Sequence, residues 1–172
     1  MADNNTVSDI GSQGIYAHYT DSIHLTNNQV SNTVSHGIYA HQYYDNGDMV
    51  ASGNTVTNAG TYGIHFHPNR SNGTITLSDN TVNVTGSYGI YLYQYYGTSP
   101  LVSVSGNTVS GAVNAAGIHT NLTGGNQDVV SISDNVVYDN ERGGLNLYRS
   151  AGSLSTPPII RNNQAYDNGS DG

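Results

Sequence analysis

The tripeptide Asn-x-Val recurs at nearly constant intervals along this chain. It begins at Asn5, Asn28, Asn54, Asn80, Asn107 and Asn135, and Asn163-Gln-Ala continues the series. The successive separations are 23, 26, 26, 27, 28 and 28 residues. Self-similarity at such a period is typical of a chain in which one supersecondary unit is stacked on copies of itself. The repeat therefore constrains the fold more strongly than any single residue does.

Each repeat contains three short apolar segments. One precedes the Asn, one follows it, and the third begins at a Gly-Ile or Gly-Leu pair nine or ten residues later. Within them apolar residues alternate with others, as in Ile75-Thr-Leu77 and Ile90-Tyr-Leu92, which indicates strands buried on one face. Three strands per repeat, with Gly, Asn or Asp between them, predict an all-β fold. We expect a right-handed parallel β-helix, a solenoid of about six to seven coils.

The repeated Asn is predicted to have a structural role. The residue before it is Asn, Gly or Asp in every repeat, and these types tolerate the positive φ of a tight corner. Because the Asn returns in every coil, its amide can bond to its copies above and below and satisfy buried backbone groups. We therefore predict an internal ladder that includes Asn28, Asn54, Asn80, Asn107 and Asn135.

Domain organisation follows from the same repeats. No break in composition divides the chain, so residues 1–172 are expected to form a single β-helix domain. Terminal coils of a solenoid need caps, and neither end of this sequence contains a recognisable capping segment. We expect a fragment of a longer protein, or coils capped by self-association through their ends.

Composition excludes several classes of protein. Twelve acidic residues against four basic ones give a formal net charge of −8, which disfavours nucleic acid as a partner. No apolar run has the length of a membrane span, so membrane insertion is not expected. The chain has no Cys, which excludes disulfides, thiolate metal sites and a Cys nucleophile.

Tyr and His are concentrated at two outward positions of the third segment. These are the residue after each Gly-Ile or Gly-Leu pair and the residue two further on, since the positions between them point inward. Ten of these twelve positions hold Tyr or His. They are Tyr16, Tyr39, His65, Tyr91, His119 and Asn146 in one column, and His18, His41, His67, Tyr93, Asn121 and Tyr148 in the other.

Two interpretations of these columns stay open. Rings could simply stack on their copies in the next coil. They could also bind a glycan, because sugars present C–H faces to aromatic planes and hydroxyls to polar side chains. Loop residues Tyr43, Tyr44, Tyr95 and Tyr96 would extend such a face as a groove wall. The predicted substrate-binding residues are Tyr16, His18, Tyr39, His41, His65, Tyr91, Tyr93, Tyr95, His119 and Tyr148.

Cationic and metal-binding groups add further hypotheses. Arg142 and Arg149 flank the third strand of the sixth repeat, on the same face, and Arg70 lies in a loop of the third. An arginine there could clamp a carboxylate, although solvated surface charge is the simpler explanation of these residues.

For metals, His18, His41 and His67 could share a transition metal or form a stack of neutral imidazoles. The turns 45–48 and 167–172 could bind calcium or be ordinary Asn/Asp-Gly turns. No metal ligand or other cofactor is assigned, and calcium is left open.

The succession of strand, Asn corner, strand, Gly and aromatic-bearing strand resembles the pectate-lyase-like superfamily of right-handed β-helices. That resemblance implies that the strand after the Gly is the one to examine for a site. A narrower likeness links Tyr62-Gly-Ile-His65-Phe-His67-Pro68 to the Tyr-Gly-Phe-Asp-Pro-His-Glu active-site segment of bacterial mannuronan C5-epimerases. It implies that Tyr62 and His67 match the catalytic Tyr and His, whereas His65 and Pro68 replace the acidic pair.

We expect a secreted or cell-surface module, extracellular and bacterial, that presents the Tyr/His face for polysaccharide binding. One alternative is an epimerase or lyase acting on uronate glycans. In that enzyme His67 or Tyr62 would move the proton beside the carboxylate, and Arg149 or Arg70 would neutralise the uronate. The other alternative is a purely structural solenoid or adhesin segment.

Overall fold

The computed structural model describes residues 1–18, 21–44, 46–150 and 156–170. These residues form twenty β-strands in three parallel sheets of seven, seven and six strands. Each coil contributes one strand to each sheet, except that the described part of the last coil contributes only to the first two sheets. The predicted parallel β-helix is therefore confirmed. No helix in the described ranges is long and apolar enough to cross a membrane.

Each sheet runs the length of the stack, with strands in chain order. The first sheet contains β1 (Ala2–Asp3), β4 (Ile23–Thr26), β7 (Met49–Ser52), β10 (Ile75–Ser78), β13 (Thr98–Ser105), β16 (Asn126–Ser133) and β19 (Ile159–Arg161). The second contains β2 (Thr6–Ile10), β5 (Gln29–Thr33), β8 (Thr55–Ala59), β11 (Thr81–Thr85), β14 (Thr108–Ala112), β17 (Val136–Tyr138) and β20 (Gln164–Tyr166). The third contains β3 (Ile15–His18), β6 (Ile38–Tyr43), β9 (Ile64–Asn69), β12 (Ile90–Tyr95), β15 (Ile118–Thr123) and β18 (Leu145–Arg149).

The core is made of aliphatic columns that stack in register. Ile75, for example, pairs with Met49 on one side and Val102 on the other. On the third sheet Ile64 and Phe66 are fully buried, whereas the residues between and after them are partly exposed. The alternation read from the sequence thus sorts each strand into an inward and an outward face.

The Asn ladder is confirmed, and every rung has the same geometry. The backbone N–H and Nδ2 of Asn54 both donate to Oδ1 of Asn80, at 3.0 and 2.9 Å. Nδ2 of Asn54 also donates to the carbonyl oxygen of Leu25 in the preceding coil, at 2.8 Å. The five predicted asparagines are 0% exposed. Between the asparagine side chains, donation runs in one direction, from each coil to the next along the chain.

The corner before the ladder has the predicted backbone conformation. Positive φ occurs at Asn4, Asn27, Gly53, Asp79, Gly106, Asp134 and Asn162. A second left-handed column lies at the end of the second sheet, where Asp9, Asn32, Asn58, Val84, Gly111, Asp139 and Asp167 have positive φ. Val84 is the one β-branched residue among these fourteen positions, and its side chain is poorly suited to that region.

The Gly of the third segment and the Val of Asn-x-Val form two sides of one contact. A Cβ on Gly63 would lie 2.3 Å from Cγ1 of Val82 and 2.6 Å from the carbonyl oxygen of Gly89. The same Gly–Val approach recurs in neighbouring coils, as between Gly37 and Val56. The Gly is therefore required by close packing between coils, and φ at Gly63 is not in the left-handed region.

Candidate functional site

The third sheet carries Tyr and His side chains in three columns, which we name the ring surface. Two columns are those predicted, with Tyr16, Tyr39, His65, Tyr91 and His119 in one and His18, His41, His67 and Tyr93 in the other. The third column was not predicted as such and consists of His36, Tyr62 and Tyr88. The signal in the sequence is an aromatic residue directly before Gly37, Gly63 and Gly89.

His65 lies at the centre of the ring surface. Its ring stacks between Tyr39 and Tyr91, with centroid distances of 4.9 and 5.0 Å. Tyr62 approaches it edge-on at 5.0 Å and His36 at 5.3 Å. Both ring nitrogens of His65 are shielded from solvent and have no hydrogen-bond partner. This predicted binding residue is therefore held by packing rather than by polar contacts.

Within the columns, the ring faces are covered by rings of the adjacent coils. Tyr39 stacks on Tyr16 at 5.3 Å with planes inclined by 20°, and His67 stacks on His41 at 4.7 Å with 18°. Nearly parallel rings at these distances overlap face to face. Largely open ring faces, on which sugars were expected to stack, therefore occur at column ends, such as Tyr16, which is 54% exposed. Within the columns the ring surface exposes mainly ring edges.

Burial sets the charge state of the histidines. It is the main cause that lowers the pKa of His65 to about 3, with smaller contributions from His36, His67 and His41. It also lowers the pKa of His67 to about 4, with His41 as the second cause. The pKa values of His41, His36 and His119 are likewise lowered, mainly by burial. These imidazoles are neutral at neutral pH, so each has one N–H donor and one acceptor nitrogen.

The three residues assigned to catalysis do not meet. Tyr62 has its ring contacts with other members of the ring surface, and among the described residues none joins it to His67. Arg149 pairs in register with Leu122, a buried inward position, and its Nε and Nη2 atoms are buried without a hydrogen-bond partner. Its expected place on the outward face was wrong because it is one residue out of phase with Tyr148. His67 and Arg149 also lie three strands apart, or about 14 Å at the usual strand spacing.

Arg70 is already engaged with aromatic rings. Its guanidinium lies 5.0 Å from the ring centre of Tyr44 and 5.9 Å from that of Tyr96, and it donates a hydrogen bond to the Tyr44 hydroxyl. Tyr43 and Tyr95 pack edge-on against these two tyrosines, both at 4.3 Å. The four tyrosines and Arg70 therefore form one ridge at the corner after the third sheet, where a groove wall was expected. Tyr43 and Tyr95, which were expected in loops, are the last residues of β6 and β12.

Oxygen atoms of both candidate calcium turns are engaged between coils. Oδ1 of Asp48 accepts hydrogen bonds from the Thr74 backbone N–H and hydroxyl, at 2.8 and 2.6 Å, and these bonds lower the Asp48 pKa. Oδ1 of Asn168 accepts from Nδ2 of Asn140 at 2.9 Å in a second, short Asn ladder. Asp45, Asp171 and Gly172 lie outside the described residues. Within the described part, no group of three or more His, Asp or Glu side chains is placed to hold a metal ion.

A cleft of about 440 Å³ opens at Tyr88, where the column of His36, Tyr62 and Tyr88 ends. The residues before the next two glycines are Ala116 and Gly143, so no ring follows Tyr88 in the coils beyond it. The cleft was not predicted, because it arises from missing rings. Its walls are Tyr88, Ala115, Ala116, His119, Arg142, Gly143, Leu145, Asn146 and Ser170.

Comparison with known proteins agrees with this architecture. Residues 1–109 match the family described as the right-handed β-helix region. The chain belongs to this family. No curated protein and no solved structure matches it. The matched residues include the ladder asparagines from Asn5 to Asn107 and most of the ring surface. The family match supports the β-helix and not the narrower likeness to mannuronan epimerases.

Proposed function

We propose that this β-helix binds a polysaccharide through the ring surface of its third sheet. The observation that carries the proposal is the concentration of Tyr and His in three registered columns on one sheet. The outward positions of the second sheet, in the same coils, are Thr, Ser, Asn or Gln, as at Thr55, Thr57, Thr81 and Asn83. Packing between coils is thus possible without rings, which leaves the ring surface in need of another explanation.

The chemistry of the ring edges suits sugar hydroxyls. Tyr hydroxyls and neutral imidazoles can each donate and accept hydrogen bonds. Coils advance by about 4.8 Å, so an extended glycan lying along the stack would meet similar groups in every coil. Tyr and His together supply contact area and polar groups at little cost in side-chain entropy, which is typical of binding surfaces.

Binding without turnover is favoured over the epimerase or lyase alternative. Proton abstraction needs a base within hydrogen-bond reach of the proton, and neutralising the uronate needs a cation nearby. Among the described residues no ring contact joins Tyr62 to His67. Arg149 occupies an inward position, and Arg70 lies between the rings of Tyr44 and Tyr96. A secreted or cell-surface location is part of this proposal, since that is where a polysaccharide ligand would be met.

A glycan-array screen with and without calcium tests the proposal. Tyr39→Phe and Tyr93→Phe keep the ring stacking and remove one hydroxyl each, so they should weaken binding about three- to tenfold. The matched control is Tyr166→Phe, because Tyr166 stacks on Tyr138 at 5.3 Å on the second sheet. Binding to no glycan would favour a structural solenoid. Equal weakening by the control would place the site elsewhere.

A further inference from the structure

We infer that the cleft beside Tyr88 is a subsite for one anionic sugar unit of an otherwise largely neutral glycan. The inference rests on the proposed function, because the rest of the glycan would lie on the adjoining ring surface. The subsite would fix where one sugar unit lies along the ring surface and would require that unit to be negatively charged.

The cleft lies where the column that contains Tyr88 lacks its next aromatic ring. Tyr88 stacks on Tyr62 at 6.0 Å with planes inclined by 21°, which covers one of its faces. Tyr91 of the same coil also stacks on Tyr88, at 5.1 Å with planes inclined by 26°. On the side away from Tyr62 the column continues with Ala116, and His119 of the next coil lies 4.8 Å from Tyr88 at a tilt of 43°. A six-membered sugar ring can therefore replace the absent side chain and contact the open part of the Tyr88 face. The volume of about 440 Å³ is within the usual range for small-ligand sites.

Arg142 supplies the charge preference. Its side chain is exposed at the cleft, and in the described part of the chain it has neither an ion-pair partner nor a ring contact. The neighbouring carboxylate of Glu141 is used elsewhere, since its Oε2 accepts a hydrogen bond from the Asn114 backbone N–H at 2.8 Å. The guanidinium fork fits a carboxylate or a sulfate ester, to which it can donate two hydrogen bonds.

His119 provides a second polar feature of the same cleft. Its Nδ1 atom is buried and has no hydrogen-bond partner, and burial lowers its pKa, so the ring is neutral at neutral pH. An unpaired buried polar atom is unfavourable, and a small rearrangement around a bound sugar hydroxyl would satisfy it. Asn146, exposed on the adjacent strand, adds an amide that can donate and accept hydrogen bonds.

The net charge limits how many anionic units the glycan can carry. With a formal charge of −8, the protein as a whole repels a polyanion. A glycan charged at every sugar would be attracted by one arginine and repelled by the remaining, net negative surface. We therefore assign the subsite to isolated anionic units rather than to a continuous polyuronate.

Binding measurements with three matched probes test this assignment. The first probe is an oligosaccharide that is neutral except for one terminal uronic acid, chosen from the hits of the array. The second is the same compound with its carboxyl group reduced, and the third is the reduced compound carrying one sulfate ester. The protein variants are Arg142→Gln, Ala116→Tyr, which refills the missing ring position, and Arg161→Gln, an exposed arginine of the first sheet that serves as the charge control.

The wild type should bind at least one charged probe about tenfold more tightly than the neutral one, and the preferred charged probe identifies the anionic group. Arg142→Gln and Ala116→Tyr should abolish that preference while the neutral probe still binds, and Arg161→Gln should retain it. Equal binding of all three probes by the wild type would overturn the subsite and leave the proposed function standing. Equal loss of preference in Arg142→Gln and Arg161→Gln would also overturn it. Binding of none of the probes would count against both.

Discussion

The imidazole of His65 lies face to face with the phenol ring of Tyr39, with centroids 4.9 Å apart and planes inclined by 21°. The distance nearly equals the usual spacing of strands in a sheet, because the two side chains occupy the same position in successive coils. Each such pair contributes about 0.5–1.5 kcal/mol beyond simple burial. The ring surface is therefore part of the packing between coils as well as an exposed surface.

Stability should fall as the solution is acidified. The folded pKa of His65 is about 3 and that of His67 about 4, both below the ordinary histidine pKa of 6.5. Between the folded and the ordinary pKa values the unfolded chain therefore binds more protons than the folded one. The contribution of these two histidines to stability is fully present above about pH 6.5 and is lost as the pH falls towards 3–4. For His65 the loss is at most about 1.4 kcal/mol per pH unit. Urea melts at pH 7, 6, 5 and 4.5 would measure it.

His65→Phe keeps a ring and removes the titrating group with its two unpaired nitrogens. It should flatten the pH dependence and leave the protein at least as stable at pH 5. His24→Asn, on the exposed side of the first sheet, is the control and should retain the wild-type slope. A His65→Phe variant with the wild-type slope would show that burial of His65 does not govern the acid response.

Asn80→Ala should strongly destabilise the fold. The Oδ1 atom of Asn80 accepts from the Asn54 backbone N–H and Nδ2, and its own Nδ2 donates to the Ala51 carbonyl. Its removal leaves buried groups unpaired, at a cost of about 2–5 kcal/mol. Asn83→Ala, three residues away on the exposed face of β11, should change the free energy of unfolding by less than about 0.5 kcal/mol. Similar losses in both variants would contradict the ladder's role.

Gly63→Ala should cost about 1–3 kcal/mol through overpacking. The added methyl group would meet Val82 and the Gly89 carbonyl, whereas a Cβ at Gly11 has no heavy atom within 4 Å. Gly11→Ala is therefore the matched control, and thermal unfolding of the two variants compares them. Equal midpoints would mean that the coils separate enough to admit a methyl group.

Val84→Asn should stabilise the protein by about 1 kcal/mol, because Val is disfavoured at the φ of +55° that Val84 adopts. An Asn there could also donate to Asn58, as Asn58 donates to Asn32 at 3.0 Å. Val34 is 69% exposed and outside the positive-φ set, so Val34→Asn controls for the change in polarity. A gain in both variants would point to surface polarity rather than backbone strain.

The fold was predictable because backbone constraints repeat. Asn80 satisfies buried backbone groups at a corner, and Gly63 allows two coils to approach closely. Both requirements return in every coil, so both residue types recur periodically in the sequence. Arg149 shows the limit of that reasoning. Its position beside Tyr148 was apparent, but alternation turns it inward, and the prediction assigned it to the outward face without following that alternation.

The cleft depends on departures from the repeat, which periodicity does not reveal. Ala116 and Gly143 are unremarkable residues in the sequence, and they open a cleft only because Tyr88 and Tyr62 precede them in the same column. The role of burial in the histidine pKa values was missed for a related reason. The sequence places the imidazoles side by side, whereas the extent to which neighbouring rings cover them follows from the packed sheet.

Because donation between the ladder asparagines always runs to the next coil, the number of coils can change at little cost in stability. Asn54 donates to Asn80 as Asn80 donates to Asn107, so gaining or losing one whole coil would join the same donor to the same acceptor. A shift of a single residue within a strand would instead exchange its inward and outward side chains. Duplication or loss of whole repeats can therefore lengthen or shorten the exposed Tyr/His array while every internal contact keeps its partner.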